Sequence, residues 1–320
     1  MNIVRRAAVL ILLLFALTPN AHAKKIYIAI SNPDMSFLSG GVAQSQGYFK
    51  DEGLDVELVQ ITANVSIAAL AAGNIDYNLI LQSIVTGNLR GLPMKVAAIL
   101  IERPNHVFVV DKSIQKFTDL KGKKAAISSY GSLTDILARL TAAHYGLDPK
   151  SDIGFTAAGS SSGRLAQLQS GVVQAALVTP PGDAIAEKMG FKRLLEVGTL
   201  FPFPVNGVGL HENKLKNERD EVKKVLRALY RANQFILDNP KGAIKDLAAW
   251  GRSTPAAAEE AYKANGKNYS RNLIVPRATL EKVLESTRWN VETKKKVGVD
   301  DVFDFGIMRE ILKEMGKKVE

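Results

Sequence analysis

The chain contains no cysteine, and this absence excludes several kinds of chemistry. Without a thiol there is no disulfide, no cysteine nucleophile and no lipid-modified N-terminal cysteine. Histidine is also scarce, because only four occur in 320 residues, and none has the spacing of a metal motif such as His-Glu-x-x-His. Ser129 stands in a serine cluster, but the sequence identifies no base partner for it. We therefore predict no catalytic residue, no metal and no cofactor.

Long apolar runs are absent after residue 18. The one such run, residues 7–18, follows Arg5 and Arg6 and precedes Ala21-His22-Ala23, which is the arrangement of a secretory signal peptide. A membrane-spanning helix needs about 20 apolar residues, so the run is short for an uncleaved anchor, the alternative interpretation. We expect residues 1–23 to be removed after Ala23, leaving a protein of the periplasm.

Acidic residues are outnumbered by basic ones, 32 against 42, which gives a formal charge of +10. Part of the excess lies in Lys294-Lys295-Lys296 and Lys317-Lys318, and such short runs are typical of solvated helix faces. Aromatic and basic residues are not interleaved as they are on surfaces that stack nucleic-acid bases. We therefore expect no nucleic-acid partner.

The chain does have an internal repeat. Residues 66–100 are echoed by residues 164–198, with Gly73 in the first segment matching Gly171 in the second. Each copy reads as a short helix that ends at this glycine, then a strand, a loop, another helix and another strand. Short apolar strands that alternate with helices are typical of a parallel sheet covered on both faces. The sequence therefore predicts an α/β fold with two similar lobes, each built on a mixed, mostly parallel sheet.

Two extended runs predict how the lobes are joined. Residues 106–111 and 204–210 are apolar strands that could carry the chain from one lobe to the other and back, as a two-strand hinge. The first lobe then comprises residues 24–105 and 211–320, and its second part is a mainly helical tail. The second lobe comprises residues 112–203.

The segment "SSYGS" (128–132) ends a predicted strand and precedes a predicted helix. We expect the Ser132 side chain to accept a hydrogen bond from the Asp135 amide and the Asp135 carboxylate to accept one from the Ser132 amide. One cap satisfies the start of a helix, so the remaining serines and the glycine are surplus. Because unpaired amides and the helix dipole point outward at this edge of an open sheet, the surplus residues indicate a ligand.

Comparable polar junctions follow other predicted strands. They are "SNPDMS" (31–36), "TANVS" (62–66), "LQS" (81–83), "AAGSSSGR" (157–164) and "TPPGD" (179–183). Any one of them alone is more simply a polar turn or a helix cap. Their recurrence at equivalent places of one architecture favours a shared binding site.

Arg164 follows three serines, and there its guanidinium could pair with an anionic ligand, an exposed surface arginine being the alternative. Tyr130 and Phe203 either stack on the ligand or pack the seam between the lobes. The predicted ligand-binding residues are Ser31, Asn32, Ser66, Gln82, Ser83, Ser128, Ser129, Tyr130, Ser132, Ser161, Ser162, Arg164, Thr179 and Asn206.

Four segments give the chain a resemblance to a known family. They are "GYFKDEGLDVELV" (47–59), "ALAAGNIDY" (69–77), "DLKGKKAAISSYGS" (119–132) and "LQSGVVQAALV" (168–178). They resemble the periplasmic substrate-binding proteins of ABC importers for sulfonates, taurine, nitrate and pyrimidine precursors. The resemblance implies a monomer with the type II periplasmic binding fold. It also implies that the lobes close on a small organic anion (sulfonate-, carboxylate- or aromatic-acid-like) and that the closed form meets an ABC permease.

Two other functions remain open at this point. Some lyases and a pyrimidine-synthesising enzyme resemble these binding proteins, so an enzyme on the same fold is the first alternative. The second is a ligand-sensing subunit of a signalling system, which would use the same cleft to report to a partner.

Overall fold

The computed structural model describes residues 24–288, residue 291 and residues 296–318. The predicted signal peptide, residues 1–23, lies outside the described residues, as do Lys294 and Lys295. Within the described ranges, no helix combines the length and the apolar composition needed to cross a bilayer.

The described residues form ten strands in two sheets of five. The first sheet contains β1 (Lys25–Ile30), β2 (Asp55–Gln60), β3 (Tyr77–Ile80), β4 (Met94–Ile101) and, from later in the chain, β10 (Asn206–His211). The second contains β5 (Val107–Val110), β6 (Lys124–Ile127), β7 (Gly154–Ala157), β8 (Ala175–Val178) and β9 (Lys192–Glu196).

Helices connect the strands and build the tail. Those around the first sheet are α1 (Leu38–Ser45), α2 (Tyr48–Asp51), α3 (Ala63–Ala71) and α4 (Leu81–Leu89), and those around the second are α5 (Leu133–His144), α6 (Ser161–Gln169) and α7 (Gly182–Lys188). The tail contains α8 (Glu212–Asn217), α9 (Arg219–Asp238), α10 (Pro240–Trp250), α11 (Pro255–Asn265), α12 (Arg277–Arg288), α13 (Val299–Val302) and α14 (Gly306–Glu314).

The two sheets have the same topology. The first has the order β2-β1-β3-β10-β4 and the second the order β7-β6-β8-β5-β9. In each, the first three strands are parallel and the fourth runs antiparallel between its neighbours. The antiparallel strand is the one that follows a crossing of the chain from one sheet to the other. The predicted fold class, with two mixed sheets and an internal repeat, is confirmed.

The central strands are short and apolar because both faces of each sheet are covered. β3 and β8 are buried along their whole length, as parallel strands between helix layers are. In the tail, α9 turns a stripe toward the core at helical spacing, with Val222, Val225 and Leu229 fully buried. Its buried Asn233 accepts a hydrogen bond from Ser39 Oγ at 2.6 Å and donates to the carbonyl oxygen of Leu100 at 2.9 Å. This side chain ties the tail to α1 and to β4.

Two later segments of the tail pack on the edge of the first sheet. The backbone N–H of Ile99 donates to the Leu273 carbonyl at 2.8 Å, and the Asp304 N–H donates to the Val96 carbonyl at 2.9 Å. Because these segments cover β4, the edge of the first sheet does not present unpaired backbone groups along these residues.

The chain crosses between the sheets at residues 102–106 and again at residues 197–205. The crossings touch each other, since the Val197 N–H donates to the His106 carbonyl at 2.9 Å. The runs predicted to be hinge strands, 106–111 and 204–210, form β5 and β10, and each is a full member of one sheet. The domain boundaries drawn from these runs stay a prediction.

Gly198 provides a test of the close contact between the crossings. A Cβ atom at this position would lie 2.1 Å from the Pro104 carbonyl oxygen, which is backbone and cannot turn away. We expect Gly198→Ala to lower the free energy of unfolding by about 1–3 kcal/mol through overpacking, measured by urea denaturation. Gly298→Ala is the control, because a Cβ there meets only the Asp301 carboxylate, at 3.6 Å. Equal effects of the two substitutions would contradict the prediction.

Candidate ligand-binding site between the two sheets

The loops at the carboxyl ends of strands from both sheets meet around one buried cavity of about 40 Å³. Its walls come from the loops after β1, β6 and β8, from the start of α6, and from both crossings. The space is small, and the hydrogen bond from Thr179 to Asp34 joins the two lobes beside it. The lining residues are Ser31, Asn32, Asp34, Ser36, Phe37, Ala63, Ile80, His106, Ser128, Ser132, Leu133, Thr134, Arg164, Thr179, Val205 and Asn206.

A larger groove of about 510 Å³ adjoins this cavity. We call the two spaces the inner cavity and the outer groove. The outer groove lies between α6, α7 and the end of α10, and it shares Asn32, Asp34 and Thr179 with the inner cavity. Those shared residues form the wall between the two spaces.

The structure brings half of the predicted ligand-binding residues to the inner cavity. These are Ser31, Asn32, Ser128, Ser132, Arg164, Thr179 and Asn206. Ser161 and Ser162 line the outer groove. Their contact with a ligand stays a prediction.

The other predicted residues line neither space. Ser66 and Ser83 both donate to the Ala63 carbonyl, at 2.7 and 3.0 Å, and so are satisfied inside the first lobe. Gln82 donates to Thr287 of the tail at 3.1 Å. Tyr130 is exposed, and its hydroxyl donates to the Phe155 carbonyl at 2.9 Å. Ser129 has a buried hydroxyl without a hydrogen-bond partner.

The "SSYGS" junction caps its helix nearly as predicted. Ser132 Oγ accepts a hydrogen bond from the Asp135 amide at 3.4 Å. The expected return bond to the Ser132 amide is replaced, because the Asp135 carboxylate accepts from the Gly131 amide at 2.8 Å. Gly131 has a φ of +74°, in the left-handed region that favours glycine. The surplus Ser128 forms a hydroxyl cluster with Ser132 and lines the inner cavity.

Arg164 is the largest fully buried side chain among the described residues. Its Nη1 donates to the Gly159 carbonyl at 2.6 Å and its Nη2 donates to Ser161 Oγ at 2.9 Å, whereas its Nε has no partner. Burial lowers the pKa of the guanidinium to about 10, and the nearby Asp34 carboxylate opposes that shift. Arg164 is therefore a charged group at neutral pH, and its Nε–H makes no hydrogen bond.

Asp34 was not among the predicted site residues, although it lies within the "SNPDMS" junction. It caps a short 3₁₀ helix, because Oδ1 accepts from the Ser36 amide at 2.9 Å. Its Oδ2 accepts a hydrogen bond from the Thr179 hydroxyl of the other lobe. Burial raises the pKa of this carboxyl to about 6, against the hydrogen bonds from Thr179 and Ser36 and the charge of Arg164.

Two hydroxyls connect the opposite charges of Arg164 and Asp34. Arg164 Nη2 donates to Ser161 Oγ, which lies 3.3 Å from Thr179 Oγ1. The Thr179 proton is used in the bond to Asp34, so Ser161 must donate to Thr179. All three hydrogen bonds then point from the cation toward the anion, across the boundary between the lobes.

His106 is a second cavity residue that sequence reasoning did not place. Its imidazole is buried, and burial together with the charge of Arg164 lowers its pKa to about 3. It is therefore neutral at physiological pH, and its Nδ1 has no hydrogen-bond partner. The pattern of polar junctions did not indicate it, because His106 lies in the first crossing, directly before β5.

Direct contacts hold the lobes together beside the cavity. The Met35 N–H donates to the Pro180 carbonyl at 3.1 Å. On another side, Asn64 Nδ2 donates to the Tyr130 carbonyl at 3.0 Å. Together with the bond between Thr179 and Asp34, these contacts define a closed arrangement.

The raised pKa of Asp34 predicts a pH-dependent effect on stability. A carboxyl whose pKa is about 6 in the folded protein and 3.8 otherwise binds its proton more tightly when the protein is folded. The resulting destabilisation is absent below about pH 4, grows as pH rises to 6 and then stays constant at roughly 3 kcal/mol.

We therefore expect Asp34→Asn to gain stability relative to the unchanged protein as pH rises from 4 to 7.5. Urea denaturation of both proteins at the two pH values measures this difference, and any pH-independent cost of altered hydrogen bonds cancels. A stability difference that does not change with pH would contradict the prediction.

Comparisons with known proteins bear on family and fold. The model of the family described as "NMT1/THI5 like" matches residues 36–243. The chain is 25% identical over 227 residues to the 4-amino-5-hydroxymethyl-2-methylpyrimidine phosphate synthase THI11 of Saccharomyces cerevisiae, a match that covers 64% of each protein. The chain thus spans somewhat less than two thirds of the length of the curated relatives it matches.

Two solved structures share the fold. The periplasmic nitrate-binding protein NrtA from Synechocystis PCC 6803 superposes with a TM-score of 0.78 at 16% identity, over 92% of this chain and 89% of that one. The alkanesulfonate-binding protein SsuA from Xanthomonas axonopodis pv. citri has a TM-score of 0.72 at 18% identity, over 88% and 98%. The fold predicted from the resemblance is confirmed: this chain has the two-lobed type II periplasmic binding fold and belongs to the NMT1/THI5-like family.

Proposed function

We propose that this protein is the solute-binding component of an ABC uptake system. It captures a small organic anion, such as a sulfonate, a carboxylate or an aromatic acid, between its lobes and delivers it to a membrane permease. The observation that carries the proposal is the fully buried guanidinium of Arg164, which lines the inner cavity and has an unpartnered Nε–H. A desolvated anion gives such a donor a charge-assisted hydrogen bond.

The placement of the site supports binding coupled to closure. Residues of both lobes line the inner cavity, so a solute whose acidic group enters it contacts both lobes at once. A ligand shifts the balance toward the closed state only by its greater affinity for that state, and a solute that bridges two lobes has that preference. The nitrate-binding and alkanesulfonate-binding proteins with the same fold are named for anions, which agrees with the proposed class of solute.

The proposal also places the protein in the periplasm as a monomer. The periplasmic location is supported by the signal-peptide pattern of residues 1–23. It is also supported by the nitrate-binding protein of the same fold, whose name includes the word periplasmic. Mass spectrometry of the protein released from the periplasm of an expressing bacterium should give a chain that starts at Lys24. A chain that still carries residues 1–23 would contradict this part of the proposal.

An enzyme is the second candidate, because the relatives from yeast are named as synthases at 25% identity. Within the inner cavity, the Asp34 carboxyl, with its pKa near 6, is the group suited to accept a proton near neutral pH, whereas His106, with its pKa lowered to about 3, is a weak base. The decisive measurement is mass spectrometry of a bound solute after incubation with the protein. Unchanged solute supports the binding protein, and a converted solute supports the enzyme.

Calorimetric titration with propane-1-sulfonate, benzoate and nitrate tests the class of solute. We expect one solute to bind per monomer. A bound solute that changes the activity of a membrane kinase and does not stimulate uptake would instead support the alternative of a ligand-sensing subunit. If none of the three probes binds, and no amino-bearing sulfonate or benzoate binds either, the assignment of an anion is contradicted.

Arg164→Ala should weaken the tightest of these probes by roughly 1.5–3 kcal/mol, about 10- to 150-fold, which is the value of a hydrogen bond to a charged group. The measurement is the dissociation constant by calorimetry, with circular dichroism to show that the variant is folded. Arg90→Ala is the control, because Arg90 is exposed at the end of α4. Unchanged affinity of Arg164→Ala would remove Arg164 from the site.

A further inference from the structure

The inner cavity contains a negative charge as well as a positive one. Arg164 and Asp34 both line it and are both buried, while His106 is neutral. A solute with one negative charge and no other polar group would bring a second anion into a space that already holds a carboxylate. Like charges in a poorly solvated site repel strongly, so a plain anion is not the best match for this cavity.

The role of Asp34 as a helix cap does not account for its position. One carboxylate oxygen is enough to accept from the Ser36 amide. The second oxygen reaches across to Thr179 in the other lobe. Because the hydrogen bonds from Arg164 through Ser161 and Thr179 all point toward it, the carboxylate is held in the cavity wall by groups of both lobes.

Asn32 adds a second, independent observation on the same wall. Its Oδ1 is buried and has no hydrogen-bond partner, and Asn32 lines the inner cavity and the outer groove together with Asp34. A buried acceptor without a donor is costly. This wall of the cavity therefore offers acceptors, whereas Arg164 on the opposite lobe offers the donor.

We infer that Asp34 determines the specificity of the cleft, by selecting solutes that carry a hydrogen-bond-donating nitrogen close to their acidic group. The acidic group of the solute accepts from Arg164 Nε, and its amine or ring amino group donates to Asp34 and Asn32. This inference rests on the proposed function and narrows its class of solute from anions in general to nitrogen-bearing acids. The outer groove, which the same residues border, takes whatever part of the solute extends beyond the polar head.

Matched pairs of probes test the inference. The pairs are 3-aminopropane-1-sulfonate with propane-1-sulfonate, and 2-aminobenzoate with benzoate, each titrated into the full chain by calorimetry. We expect the amino member of at least one pair to bind at least about tenfold more tightly, a difference of 1.4 kcal/mol. In Asp34→Asn that preference should disappear, and the plain anion should bind about tenfold more tightly than it does to the unchanged protein.

Two further variants serve as a substitute for Asp34→Asn and as a control. Asp34→Ser removes the charge but retains a capping oxygen, so it serves if the asparagine variant does not fold, and the same loss of preference is expected. Asp246→Asn is the matched control, because Asp246 accepts hydrogen bonds from Ser45 and Gln46 and does not line the inner cavity. Its preference should equal that of the unchanged protein.

The outcomes separate this inference from the proposed function. If plain and amino-bearing anions bind equally well, and neither Asp34 variant changes the ratio, Asp34 is only a cap and the inference is overturned while anion binding stands. If no probe of either pair binds to the unchanged protein, the proposed function itself is overturned. Loss of the preference in Asp246→Asn as well as in the Asp34 variants would also overturn the specific role of Asp34.

Discussion

The closed arrangement depends on two buried opposite charges that do not touch. Arg164 belongs to one lobe and Asp34 to the other, and the hydroxyls of Ser161 and Thr179 link them. Each charge alone would be expensive to remove from water. The link keeps the guanidinium and the carboxylate apart, so neither uses the other as its full partner, and Arg164 retains a free Nε–H. The same feature that joins the lobes therefore leaves a polar space between them that is able to bind a third group.

The internal repeat explains why the polar groups converge. Each half places strand ends and helix starts at the same edge of its sheet, and the two sheets have the same order with one antiparallel strand each. When the two edges face each other, the loops after β1, β6 and β8 become neighbours although they are far apart in the chain. A parallel sheet supplies such an edge wherever strands alternate with helices, and a pair of sheets supplies two opposing edges.

The sequence was sufficient for the architecture and for part of the site. The spacing of apolar residues and the glycines that end helices predicted the two similar halves. The polar residues that follow strands predicted Ser128, Arg164 and Thr179 at the cavity. Ser66 and Gln82 show the limit, because a polar residue after a strand can equally satisfy a backbone group or a distant helix inside its own lobe. Asp34 was overlooked since its local pattern fits a cap, and only the position of the second lobe reveals that its other oxygen is engaged. Long-range placement of this kind is set by tertiary packing, not by local propensity.

The contact between the two crossings affects how far each residue of the site moves when the lobes rotate. His106 belongs to both places: its backbone carbonyl accepts from Val197 of the other crossing, and its side chain lines the inner cavity. In any rotation about the crossings, displacement grows with distance from the axis. The His106 imidazole lies beside the backbone contact that joins the crossings, so a rotation about that contact displaces it little. A solute that contacts His106 therefore keeps one contact whose position changes little while the lobes around it move.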